Sequence, residues 1–83
     1  MNSIDYSKIR SLTARKIVNA LIKDGFYLDR KSGSHHQFLH SVKGRVTISF
    51  HHPSDTFPFK TLRDIIQNAG WTEDDLERLK LLK

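Results

Sequence analysis

Along the 83-residue chain the spacing of apolar positions changes from helical to alternating and back, and these changes predict its elements. Over residues 12–24, Ala14, Ile17, Val18, Leu21 and Ile22 recur every three or four residues, with Arg15, Lys16 and Asn19 opposite, as on an amphipathic helix. Ser11 or Thr13 supplies its N-cap and Asp24-Gly25 its stop. The period then falls to two. Residues 26–31, 35–40 and 45–51 read as three strands separated by turns at Ser32-Gly33 and at Val42-Lys43-Gly44. The third alternates most cleanly, with Val46, Ile48 and Phe50 on one face and Arg45, Thr47, Ser49 and His51 on the other. After a loop over 52–58, helical spacing returns at Leu62, Ile65, Ile66 and Ala69. This predicts a helix over 61–69 with Thr61 and Asp64 at capping-box spacing and Gly70 as its stop. Thr72 caps a short tail helix within 72–83. Glu73, Asp74 and Asp75 suit its first turn, and Lys80 and Lys83 its other end.

The order is α-β-β-β-α with an extra C-terminal helix. It predicts an α+β fold with a three-stranded antiparallel sheet, both main helices on its apolar face and a polar face left exposed. The length fits a single domain over 1–83, in which residues 1–10 lack periodicity and are expected to be loosely held. The absence of cysteine excludes disulfides and thiolate metal sites. No apolar run reaches membrane-spanning length and the N-terminus shows no signal-peptide core, so a cytoplasmic protein without a membrane partner is expected.

Charge narrows the partners. Fourteen Lys and Arg against nine Asp and Glu give +5, and five of the acids lie in the last twenty residues. Residues 8–63 hold Asp24, Asp29 and Asp55 as their only acids, against eleven basic residues. A basic body of this size predicts a polyanionic partner, with phosphate backbones the commonest.

The five histidines, His35, His36, His40, His51 and His52, cluster around the second and third strands, and three readings compete. A metal site is disfavoured, because neighbours on a strand point to opposite faces and no carboxylate completes a set; no metal or other cofactor is expected. A structural role suits His36, His40 and His52. Acid–base catalysis suits His35, at the mouth of the glycine turn with Arg30, Lys31 and Arg45 expected nearby. Such an imidazole could take the proton of an RNA 2′-hydroxyl while the cations stabilise the phosphorane charge. His51 is the candidate second acid or base. Lys31, Ser34, Arg45, Lys60 and Arg63 are candidate RNA contacts, Lys60 at a helix N-terminus that already favours anions.

The run Leu21-Ile22-Lys23-Asp24-Gly25-Phe26, then Arg30-Lys31-Ser32-Gly33-Ser34-His35-His36-Gln37-Phe38, resembles the front half of the HicA-type mRNA interferase toxins. Arg45-Val46-Thr47-Ile48, His51 and the stretch from Thr61-Leu62-Arg63 to Ala69-Gly70 resemble its back half, so the resemblance spans about residues 12–71. Ser49 and Lys60 stand where members often carry proline and glycine. The resemblance implies a double-stranded-RNA-binding-like fold and a toxin that cleaves RNA with a key histidine matching His35. It also implies a HicB-type antitoxin that covers the active site. A non-catalytic RNA-binding module of the same fold is the alternative.

Overall fold

The structure, a computed structural model, describes residues 4–9 and 11–82. Arg10 and Lys83, the latter expected at the end of the tail helix, lie outside the described residues, as do residues 1–3. Helix α1 spans Ala14–Lys23 and opens where the Thr13 hydroxyl accepts the Lys16 amide at 3.3 Å. Gly25, at φ 100°, ends it with a backbone turn that side chains resist and sends the chain into the sheet. Strands β1 (Tyr27–Ser32), β2 (His35–His40) and β3 (Gly44–Ser49) form an antiparallel meander in that order. Helices α2 (Phe59–Asn68) and α3 (Glu73–Arg78) follow. The observed order is the α-β-β-β-α arrangement with a short extra helix that periodicity predicts.

Alternation decides which face packs. Phe38, Val46 and Ile48 are almost fully buried, while Arg45, Thr47 and Ser49 between them are exposed. The buried face meets Ile17 and Leu21 of α1 and Leu62, Ile65 and Ile66 of α2 in one core cluster that also takes in Trp71 and Leu76. Each such side chain contributes about 1.5–3 kcal/mol by leaving water. The tail starts as its sequence suggests, but α3 ends at Arg78, so Lys80 lies beyond the helix at φ 61° rather than in its last turn. The Thr72 hydroxyl accepts the Asp75 amide and the Asp75 carboxylate accepts the Thr72 amide, closing a capping box.

Several local expectations are corrected. A bulge between Leu28 and Arg30 breaks the alternation of β1. The first hairpin turn is Gly33-Ser34, one residue later than expected, with Ser32 opposite His35. Strand β3 stops at Ser49, so His51 sits in the loop after it rather than on a strand face. Helix α2 starts earlier, after Pro58, with no side-chain cap. The fixed φ of Pro58 admits the chain to the helix there, so Thr61 and Asp64 lie within the helix and form no capping box. Residues 4–9 are drawn onto the body. Ile9 is buried and bridges to Leu82, and Tyr6 meets Phe59 edge-on at 5.7 Å.

Candidate active site

The Gly33-Ser34 turn builds a corner. The Ser34 carbonyl accepts the Phe50 amide at 3.0 Å, which extends the β2–β3 pairing past the end of β3, and it lies 2.9 Å from His36 Nδ1. A carbonyl can only accept, so Nδ1 carries the proton and donates it. One oxygen thus holds both rings, and they stack at 4.0 Å and 7°. His36 is half-buried, and its Nε2 has no partner among the described residues and is not sealed from solvent. In the neutral ring Nε2 is therefore an unprotonated, reachable base. The Ser34 and Ser49 hydroxyls meet at 3.2 Å, with Ser49 on the opposite sheet face, across the ladder from His35.

His36 opens on a cavity of about 430 Å³ lined also by Lys31, Gly33, Ser34, Phe50, His51 and Pro53. Lys31 stands directly across the β1–β2 ladder from His36, on the same sheet face. His51 is fixed by its backbone. Its amide and that of His52 both donate to Asp55 Oδ2, at 3.0 and 3.1 Å, and the Asp55 amide returns to the His52 carbonyl. The His52 and His51 amides hold the Asp55 carboxyl below its ordinary value.

Of the sequence-derived candidates, Lys31, Ser34 and His51 come together here. The others do not. His35 is exposed on the opposite, polar face of the sheet, with no side-chain partner among the described residues. Arg45 is not close to it. It pairs with Leu39 in the ladder, four positions and roughly 13 Å along β2. There it donates to Gln37 Oε1 and approaches Asp29 at 3.9 Å. Lys60 and Arg63 are exposed on α2 and do not line the cavity. The residue that sequence reasoning passed over is His36, assigned to structure. Its register beside Phe38 was legible; the open corner beyond β2 that leaves its Nε2 free was not.

Among the described residues no group of three His, Cys, Asp or Glu can hold a metal, and no helix is long and apolar enough to cross a membrane. The corner brings two imidazoles and a cation to one cavity, a set able to exchange protons with a bound substrate. A search of curated proteins found no match. A family model described as the HicA toxin of bacterial toxin–antitoxin matches residues 14–71, which carry α1, the whole sheet, the loop of His51 and α2. More than half of the chain is thus covered, and the protein belongs to the HicA toxin family.

Proposed function

We propose that this toxin is a metal-independent endoribonuclease whose base is His36. The observation that carries the reading is the half-tied imidazole: Nδ1–H held by the Ser34 carbonyl, Nε2 free at a cavity shared with Lys31 and His51. In the reaction Nε2 removes the proton of an RNA 2′-hydroxyl. The 2′-oxygen attacks the adjacent phosphorus, the bond to the 5′-oxygen breaks, and that oxygen takes a proton from the His51 imidazolium. The products are a 2′,3′-cyclic phosphate and a 5′-hydroxyl. Lys31 stabilises the charge that builds on the non-bridging oxygens. The substrate must be RNA because the attacking group is the 2′-hydroxyl.

Family membership implies a cognate antitoxin. A HicB-type protein that covers this cavity would block the reaction, and mRNA cleavage in the cytoplasm would account for toxicity.

The test is cleavage of a labelled RNA by purified protein in chelator, followed by end-group analysis. We expect cyclic-phosphate ends from the wild type, and from His36→Ala a loss of about 10²–10⁴-fold in rate with RNA affinity retained. An intact cutting rate in His36→Ala removes the assigned base. A wild type that binds RNA without cutting it makes the chain the non-catalytic binding module.

A further inference from the structure

The cavity is the first of three hollows in a row. Its walls Phe50 and Pro53 also wall a second, of about 220 Å³, completed by Arg15, Val18 and Asn19 of α1. Asn19 in turn borders a third, of about 240 Å³, where exposed Lys16, Lys23 and Lys80 surround buried Leu79 and Leu81. The row is firmly built where it crosses from loop to helix. The Ala14 and Arg15 amides donate to the Asp55 and Pro53 carbonyls at 2.7 and 2.9 Å, fastening the loop to the first turn of α1. Among the described residues the side chains of Arg15, Lys16, Asn19, Lys23 and Lys80 have no hydrogen-bond or ion-pair partner. From Arg15 to Lys23 is about 12 Å along the helix.

We infer that these hollows are the track of a single RNA strand, with a base-reading subsite at Asn19; this rests on the endoribonuclease reading above. Three features distinguish the track from an ordinary solvated helix face. The second hollow shares the walls Phe50 and Pro53 with the cavity, so a nucleotide next to the scissile phosphate falls beside it. Its walls Val18, Phe50 and Pro53 are apolar and accept the flat face of a base. At its edge the Asn19 carboxamide offers a donor beside an acceptor, the pattern that pairs with two adjacent groups of adenine. Arg15, one helical turn before Asn19, lies where it neutralises the phosphate of that nucleotide. The three lysines beyond continue the cationic path. The strand is single, because a base must leave its stack to enter the hollow.

The experiment uses DNA oligonucleotides with one ribonucleotide, the base on either side varied in turn, and the full chain as wild type, Asn19→Ala and the triple variant Lys16→Ala/Lys23→Ala/Lys80→Ala. We expect the wild type to cut an adenine-flanked site about tenfold faster than the others. Asn19→Ala loses that advantage and brings the substrates within about twofold of one another, whereas His36→Ala stops cleavage of all alike. The triple variant lowers the slope of log affinity against log salt by about 2, the share of three contacts to a single strand. An unchanged base preference in Asn19→Ala together with an unchanged salt slope overturns the track while leaving the cleavage reading intact. If the wild type cuts nothing, NMR shift mapping with adenosine 3′-monophosphate decides the track separately. Shifts at the Asn19 amide and Val18 methyls support it. Their absence, or shifts caused only by an acidic peptide, overturns it.

Discussion

His36 and His40 sit on the same strand, on the same face, four residues apart, and they end in opposite conditions. At His40 both ring nitrogens are committed. Nε2 meets the Asp24 carbonyl at 3.1 Å, and Nδ1 accepts the Val42 and Lys43 amides at 3.0 and 3.1 Å. The ring also packs on Phe26 at 4.9 Å, and a Cβ at Gly25 would press on it at 3.1 Å. Such an imidazole fixes a hairpin and has no lone pair left for a substrate. At His36 only Nδ1 is committed and the ring rests on Phe50, so the other nitrogen is oriented and available. What separates the two is the neighbour at each end of β2. One end is closed by Asp24, whose carboxylate takes Lys43 at 2.6 Å, Trp71 Nε1 at 2.9 Å and Arg78 at 2.9 Å. The other opens on the loop that Asp55 shapes. Identical chemistry becomes scaffold or candidate base according to whether its second nitrogen is satisfied.

The largest effect comes from exchanging those roles. His36→Ala is expected to lower single-turnover cleavage by about 10²–10⁴-fold while unfolding at nearly the wild-type denaturant midpoint. His40→Ala is expected to do the reverse, costing about 2 kcal/mol in stability through three lost hydrogen bonds and keeping cleavage close to wild type at low temperature. Equal losses of activity in the two variants would erase the distinction.

Next in size is the closed end itself. The Asp24 side chain is only 8% exposed, whereas Lys43 and Arg78 are 28% and 48% exposed. Part of the pairing is therefore screened by solvent. Asp24→Ala is expected to cost about 2–3 kcal/mol, measured by chemical denaturation, because it strands the Trp71 N–H and unties α3 from the β2–β3 hairpin. A loss below about 0.5 kcal/mol would mean the hub is incidental.

Acid sharpens the same contrast. Burial works to raise the Asp24 carboxyl, but hydrogen bonds from Lys43, Trp71 and Arg78 outweigh it and hold the group below its ordinary value. The Thr72 amide is the main cause lowering Asp75, against desolvation and with help from Arg78. A carboxyl lowered in the folded state stabilises fully above the unfolded value of about 3.9, and the contribution fades as pH falls through the lower folded value. The unfolding midpoint is therefore expected to hold above about pH 5 and to drop below about pH 4. Asp24→Asn should show a shallower drop, and an unchanged acid limb would remove Asp24 from the cause.

Most of the fold was legible because its elements, apart from the bulged β1, carry their own period. Helix α1, strands β2 and β3 and the Thr72 cap follow from side-chain spacing alone. What escaped was set by neighbours distant in sequence. The start of α2 depends on Pro58 rather than on the Thr61 hydroxyl, and the end of β3 on the Asp55 carboxylate gathering the His51 and His52 amides. Of the candidate site, Lys31, Ser34 and His51 were legible from the glycine turn and the strand order. Between His35 and His36, sequence identifies opposite faces but not which face faces the cavity. That depends on the Ser34 carbonyl and the Phe50 ring, which register alone does not reveal.

The smallest expected effects belong to the outer face, and they test the comparison most sharply. His35 adjoins His36 in sequence and shares its corner, yet it points away from the cavity, exposed. Arg45 on that same face is engaged by Gln37 and Asp29 near the far end of the strand. His35→Ala and Arg45→Ala are each expected to change cleavage by less than about threefold, ~0.7 kcal/mol in barrier height, and to leave stability within about 0.5 kcal/mol. Should His35→Ala abolish cutting while His36→Ala preserves it, the chemistry would belong to the exposed sheet face. The free nitrogen of His36 would then be a by-product of packing, and its contrast with His40 would carry no functional meaning.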